Sequence, residues 1–206
     1  MTKRTGYHHG NLRAALLDAA RSLIETKGTG GFTLAEAARN AGVSPGAPYR
    51  HFKDRNDILG ALALEGFELF AERLETAWEH GRPDAMTAFA RVGRAYLKFA
   101  QEDPAAYRAM FDTELAPDDV PGLRRASGRA FDALRTCCAA LIERVPPARR
   151  PPVDLMSVHL WSISHGTATL FARPGGARGR VPVSPEDVLE SNTLIYLRGL
   201  GVPPGD

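Results

Sequence analysis

Cysteine is scarce in this chain of 206 residues: there are two, Cys137 and Cys138, and they are adjacent. Neighbouring positions on a helix point about a quarter turn apart, so the pair suits neither a disulfide nor a shared metal ion. Both are expected to be small, inert residues packed into a helix rather than a redox switch. No apolar run approaches the ~20 residues needed to cross a bilayer, and MTKRTGYHHG is no signal peptide, so the expected location is cytoplasmic. Alternating β-branched runs are missing while alanine and leucine dominate, which points to an all-α fold. The chain also lacks G-x-S-x-G, HExxH, P-loop and dinucleotide glycine patterns. His159 and His165 are six apart and face different sides of a helix, so they are no metal pair. These absences argue against an enzyme and against any cofactor or metal.

Charge of one sign is also lacking overall, at a net +2, but its distribution is uneven. Residues 1–55 hold nine Lys/Arg against four Asp/Glu, whereas the remainder hold 17 against 20. A basic N-terminal unit beside a slightly acidic remainder fits a nucleic-acid-binding domain over 1–55 and a body of different function over 56–206.

What is present is helical periodicity. Leu12, Leu16, Ala19, Ala20, Leu23 and Ile24 recur on one face of a helix expected from about Asn11 to Lys27. Asp54 is a plausible N-cap for a long helix carrying Leu59, Leu62, Phe67, Phe70 and Leu74 down to Trp78, with Gly81 and Pro83 ending it. Further helices are expected over about 84–101, from Pro104, over about 123–144 and 153–171, and after Ser184. There Ser184 caps, Pro185 comes first and Asp187 third. VPPARRPP and RPGGARGR read as connections. With a helix pair between Thr33 and Phe52, the expected total is nine helices and no strand.

That pair, TLAEAARNAGVSPGAPYRHF, is the most informative stretch. Ala35, Ala37, Ala38 and Ala41 keep the first helix slim enough for a second to cross closely. Gly42 supplies the backbone freedom for a sharp turn, and Ser44 can cap the next helix with Pro45 at its first position. Two helices joined so tightly form the DNA-binding helix-turn-helix, whose second helix enters the major groove.

The block from about Gly10 to Phe70, densest in FTLAEAARNAGVSPGAPYRHFKDRNDIL, resembles the TetR family of transcriptional regulators. Thr33, Ala37, Ala41-Gly42-Val43-Ser44, Tyr49, Phe52, Lys53, Asp54 and Leu59 carry the likeness. Trp161, His165 and Gly166, as WxxxHG, are similar to the subgroup named for its Trp-His-Gly motif. The resemblance implies a two-domain all-α homodimer, with three-helix heads on double-stranded operator DNA. Its bodies would hold a pocket for a small-molecule effector, here of unknown identity, whose binding releases the DNA. Two positions depart from the pattern. Pro48 stands where an aliphatic residue is usual, so a short or distorted recognition helix is expected. Arg55 stands where lysine is commoner.

On this basis Thr33 offers a hydroxyl and backbone N–H to phosphate, and Ser44 lies at the start of the recognition helix. Arg50 is the best base reader, since a guanidinium grips guanine O6 and N7 together. Tyr49 and His51 suit phosphate oxygens; Gly46 and Ala47 allow close approach; Lys53 and Arg55 hold the DNA backbone. Lys3, Arg4, Tyr7 and His8 form either an arm toward DNA or a tail. In the body, Tyr96, Phe99, Tyr107, Met110, Phe111, Phe131, Trp161 and His165 are pocket candidates, with ordinary core as the competing assignment. Gly166, Ile195 and Tyr196, on the last two helices, are candidates for the dimer surface. A ligand-released repressor is the leading expectation; a dimeric DNA-binding regulator without a pocket is the alternative.

Overall fold

Local capping chemistry sets where the helices begin. The computed structural model describes residues 12–172, 176–177 and 179–202. These form α1 (Leu12–Lys27), α2 (Leu34–Asn40), α3 (Arg55–Trp78), α4 (Ala85–Glu102), α5 (Pro104–Phe111), α6 (Leu123–Ile142), α7 (Val153–Ala172) and α8 (Pro185–Gly199). Thr33 and Glu36 form a reciprocal capping box at α2, and Ser184 and Asp187 form another at α8 behind Pro185. Asp54 accepts from the Asp57 backbone N–H at 2.9 Å, while Asp57 accepts from Lys53 N–H at 3.0 Å, so α3 starts where expected. Asp84 caps α4 through the Met86 and Thr87 N–H groups. The expected start near Asn11, the arm residues Lys3, Arg4, Tyr7 and His8, and most of RPGGARGR lie outside the described residues. None of the described helices is long and apolar enough to cross a membrane.

Eight α-helices stand among the described residues in place of nine, because the expected recognition helix is not one. A helix capped by Ser44 would make its first backbone bond from residue 48 to the Ser44 carbonyl. Residue 48 is proline and has no N–H to give. The Ser44 carbonyl instead accepts from Ala47 N–H at 3.0 Å, and only Pro48–Arg50 forms a 3₁₀ turn, with His51 N–H donating to the Pro48 carbonyl at 2.9 Å. Pro48 itself is buried. Gly42 has φ +70°, the left-handed conformation that its place in the turn requires.

The chain divides into two compact units. One comprises the chain up to Gly66 together with Ala105–Leu123; the other comprises Phe67–Pro104 and everything from Arg124 onward. In the first, α1 and α2 pack around Leu16, Ile24, Ala37, Ala38, Ile58 and Leu62, all fully or almost fully buried. Most of α5 belongs here too. Gly66 leaves α3 bare where α5 passes, since a Cβ there would lie 2.8 Å from Met110 Sδ. Arg108 donates to backbone carbonyls at the end of α1, and the Thr29 hydroxyl donates to the Asp112 carbonyl at 3.1 Å.

In the second unit α4, α7 and α8 pack mutually, and Phe99, Leu97, Leu141, Met156, Leu160 and Leu197 fill the interior. Cys137 and Cys138 are buried within it, and burial pushes their thiols up to about 12 and about 11, so both are protonated and inert. At the end of α3, Glu79 and His80 adopt left-handed backbone, φ 46° and 55°, ahead of Gly81. Arg91 braces this turn by donating to the Ala77 carbonyl at 3.0 Å, the Arg82 carbonyl at 2.6 Å and the Glu79 carboxylate at 3.2 Å.

Candidate functional site

The first unit concentrates its exposed polar groups along one stretch. Tyr49 is 63% exposed, an unusual position for a large aromatic ring, and Arg50, His51 and Lys53 are exposed beside it. The 3₁₀ turn holds Tyr49 and Arg50 outward because it buries Pro48 inward, while Phe52 buries its ring in the same unit with Arg13 over its face. Ser44 and Gly46 are exposed and Ala47 is half-buried.

Thr33, Tyr49, Lys53, Asp54, Arg55 and Asn56 line an open cleft of about 440 Å³, floored by Phe32 and Leu34. Four of the nine sequence candidates therefore line that cleft: Thr33, Tyr49, Lys53 and Arg55. Thr33 is committed to its capping box, which leaves it exposed at the mouth of α2, where the backbone N–H groups favour an anion. Arg55 is half-buried. Its Nη1 donates to the Gly30 carbonyl at 2.9 Å, and its Nε is buried with no partner. Arg55 thus ties the loop after α1 to the start of α3. Glu36, the capping partner of Thr33, is held down to about 2 by the Lys27 ammonium at 2.7 Å and by bonds from Thr33.

The second unit joins residues that are remote in sequence. The Trp161 indole N–H donates to the Tyr96 hydroxyl at 3.3 Å, and that hydroxyl lies 3.2 Å from His165 Nδ1. Phe131 packs edge-on to Trp161 at 6.1 Å between centroids, and Phe70 packs edge-on to Tyr96 at 4.9 Å. Phe99 touches Phe70 and carries the Arg73 guanidinium on its other face, but it is wholly buried. Five of the eight pocket candidates, Tyr96, Phe99, Phe131, Trp161 and His165, therefore belong to one aromatic and polar cluster. Tyr107, Met110 and Phe111 belong to the other unit, where the Tyr107 and Phe111 rings pack tilted with centroids 4.9 Å apart.

On α7, Leu155, Val158 and Leu170 are exposed and share a face with Gly166, where a Cβ would meet nothing within 4 Å. Ile195 on α8 is 66% exposed. The Tyr196 hydroxyl, by contrast, is engaged with His159 Nδ1 at 3.1 Å. Sequence spacing alone did not reveal a further cleft of about 270 Å³ lined by α4, α7 and α8. Its residues look like ordinary helix positions until three helices bring them together. Among the described residues no group of His, Cys, Asp or Glu could hold a metal ion.

Residues 16–62 match the family model of bacterial regulatory proteins of the tetR family, and residues 89–193 match that of a tetracyclin repressor-like C-terminal domain. The chain is 30% identical over 199 residues to YobS of Bacillus subtilis (strain 168), described as an uncharacterized HTH-type transcriptional regulator, covering 93% of each. Among solved structures, a protein of unknown function from Rhodococcus sp. RHA1 superposes with a TM-score of 0.76 at 30% identity, over 95% of this chain and 98% of that one. The TetR family regulator PfmR from Thermus thermophilus gives 0.70 over 89% and 97%; at 23% identity that likeness concerns the fold alone.

Proposed function

The chain belongs to the TetR family of helix-turn-helix transcriptional regulators, and from that premise we propose that it is a repressor released from a two-fold-symmetric operator by a small molecule. It is a regulator and not an enzyme. The observation that carries the proposal is the outward row Tyr49, Arg50, His51 and Lys53 beside the cleft at the mouth of α2. Arg50 reads a base edge. Tyr49, His51 and Lys53 grip phosphates, Ser44, Gly46 and Ala47 admit the DNA backbone, Thr33 spends its hydroxyl and backbone N–H on Glu36 as the cap of α2, and Arg55 ties the loop after α1 to the start of α3.

Two copies associate through α7 and α8. The exposed apolar row Leu155, Val158 and Leu170, with Gly166 and Ile195, supports this: such a row costs free energy in water and a second copy covers it isologously. Tyr196 borders the surface through His159. The effector engages the cluster of Tyr96, Phe131, Trp161 and His165, which combines apolar walls with three polar tips.

Selection of random duplexes by the purified protein at fixed salt tests this. A two-fold-symmetric consensus supports the operator and the dimer together. A folded, monomeric protein that enriches no sequence overturns both.

A further inference from the structure

Resting on the reading of the row Tyr49, Arg50, His51 and Lys53 as the DNA-binding face, we propose that Lys27 is a positioning residue for DNA binding. It meets no phosphate itself, but fixes the start of α2 through Glu36. Lys27 is the last residue of α1, and Glu36 lies in the first turn of α2, nine positions later. The loop between them is tight. It leaves α1 at Gly28, φ +78°, and folds back so closely that a Cβ on Gly31 would lie 2.2 Å from the Lys27 carbonyl oxygen. That return brings the Lys27 ammonium to 2.7 Å from Glu36 Oε1.

Glu36 hands the constraint on. Its other oxygen, Oε2, accepts from the Thr33 backbone N–H at 2.9 Å and from the Thr33 hydroxyl at 3.2 Å. One carboxylate therefore joins the end of α1 to the residue that caps α2. Thr33 and Leu34 form one wall of the cleft that Tyr49, Lys53, Arg55 and Asn56 also line. The Lys27 side chain is 45% exposed, and an exposed cation in a basic unit is ordinarily a candidate to meet phosphate. Its charge is already committed, because an ammonium paired with a carboxylate presents no net charge to a phosphate. Without Lys27, Glu36 keeps a full negative charge beside Thr33, where it repels phosphate and is free to leave the cap.

The test measures the affinity of the full chain for a selected duplex and for its scrambled counterpart at several salt concentrations, with urea unfolding of each variant alongside. Lys27→Met should weaken both duplexes about threefold, the scale of one exposed ion pair. The slope of log K against log salt should change by less than half of the ~0.9 that a lost phosphate contact removes. Lys27→Arg should restore the affinity. In a Glu36→Gln background Lys27→Met should no longer weaken binding, because no carboxylate is left to hold. A role in stability alone would lower the urea midpoint and leave the affinity of the folded protein intact, which overturns the assignment. A slope that falls by about 0.9, or an equal loss with and without Glu36, makes Lys27 a phosphate contact and overturns it too. If the wild type binds neither duplex, the DNA-binding face falls together with the role of Lys27; if the wild type binds and Lys27→Met binds as well, only the role of Lys27 falls.

Discussion

Arg108 donates through Nη1 to the Ile24 carbonyl at 3.0 Å, and the Glu25 carbonyl lies 3.4 Å from the same nitrogen. The last carbonyls of a helix lack partners within it, and a cation there also meets the negative end of the helix dipole. A residue 84 positions downstream therefore finishes α1. Thr29 returns the contact to the Asp112 carbonyl just past α5. Together these two bonds fasten α5 to the DNA-binding unit from both sides of the loop after α1.

Arg108→Ala should lower stability by about 1–2 kcal/mol, the value of a half-buried charged hydrogen bond whose acceptors regain only partial hydration. Urea unfolding measures the loss. Hydrogen exchange should quicken at the end of α1, including the Gly28 N–H that donates to the Ile24 carbonyl at 2.9 Å. Unchanged exchange there would mean that Arg108 adds nothing to α1.

Arg50→Ala and Lys53→Ala should have different signatures in DNA binding. Loss of Arg50 should flatten preference at one base position by about tenfold. Loss of Lys53 should weaken all duplexes alike and reduce the slope of log K against log salt by about one. Titration of cognate and scrambled duplexes at several salt concentrations distinguishes the two, and the reverse pattern would exchange their roles.

Glu36 gives the first unit an acid-sensitive joint. Its pKa is held down to about 2, below the ordinary 4.5, by the Lys27 ammonium and the Thr33 cap. A group depressed on folding stabilises above its unfolded pKa, and that contribution is lost as pH falls toward the folded value. Acid unfolding followed from pH 5 to pH 2 should therefore steepen between about 4.5 and 2, and Glu36→Gln should remove that part of the pH dependence.

Both cysteines should resist thiol reagents in the folded protein. Their thiols titrate at about 12 and about 11, so almost no thiolate exists near neutrality, and both side chains are buried. Thiol counting with a chromogenic disulfide at pH 8 should detect neither before denaturant and both after. Rapid modification of the native protein would contradict the burial.

What was legible in the sequence was what acts locally. Ser184 with Asp187, Asp54 with Asp57 and the turn at Gly42 are settled within four residues, and each stands where its chemistry places it. The recognition segment shows two local signals in conflict. Ser44-Pro45 reads as a helix start, but Pro48 removes the first bond that such a helix must make, and the proline decides the outcome. Trp161 and His165, four apart, announced a shared face, whereas Tyr96 reaches them from 65 and 69 residues away. No spacing rule encodes that distance. Arg108 was hidden for the same reason: it matters through carbonyls on another helix.

The 3₁₀ turn has a consequence for how much sequence this protein can read. Three residues rising about 2.0 Å each span about 6 Å, less than two base-pair steps of ~3.4 Å. An element so short extracts few bits from a half-site, whereas a genome offers on the order of 10⁶ or more competing sites. Discrimination must then be pooled from symmetric half-sites at a fixed spacing and from the bendability of base pairs the side chains never touch. Operators of this protein should accordingly look sparse: a few strict letters, a strict interval between them, and a centre chosen for mechanics rather than spelling.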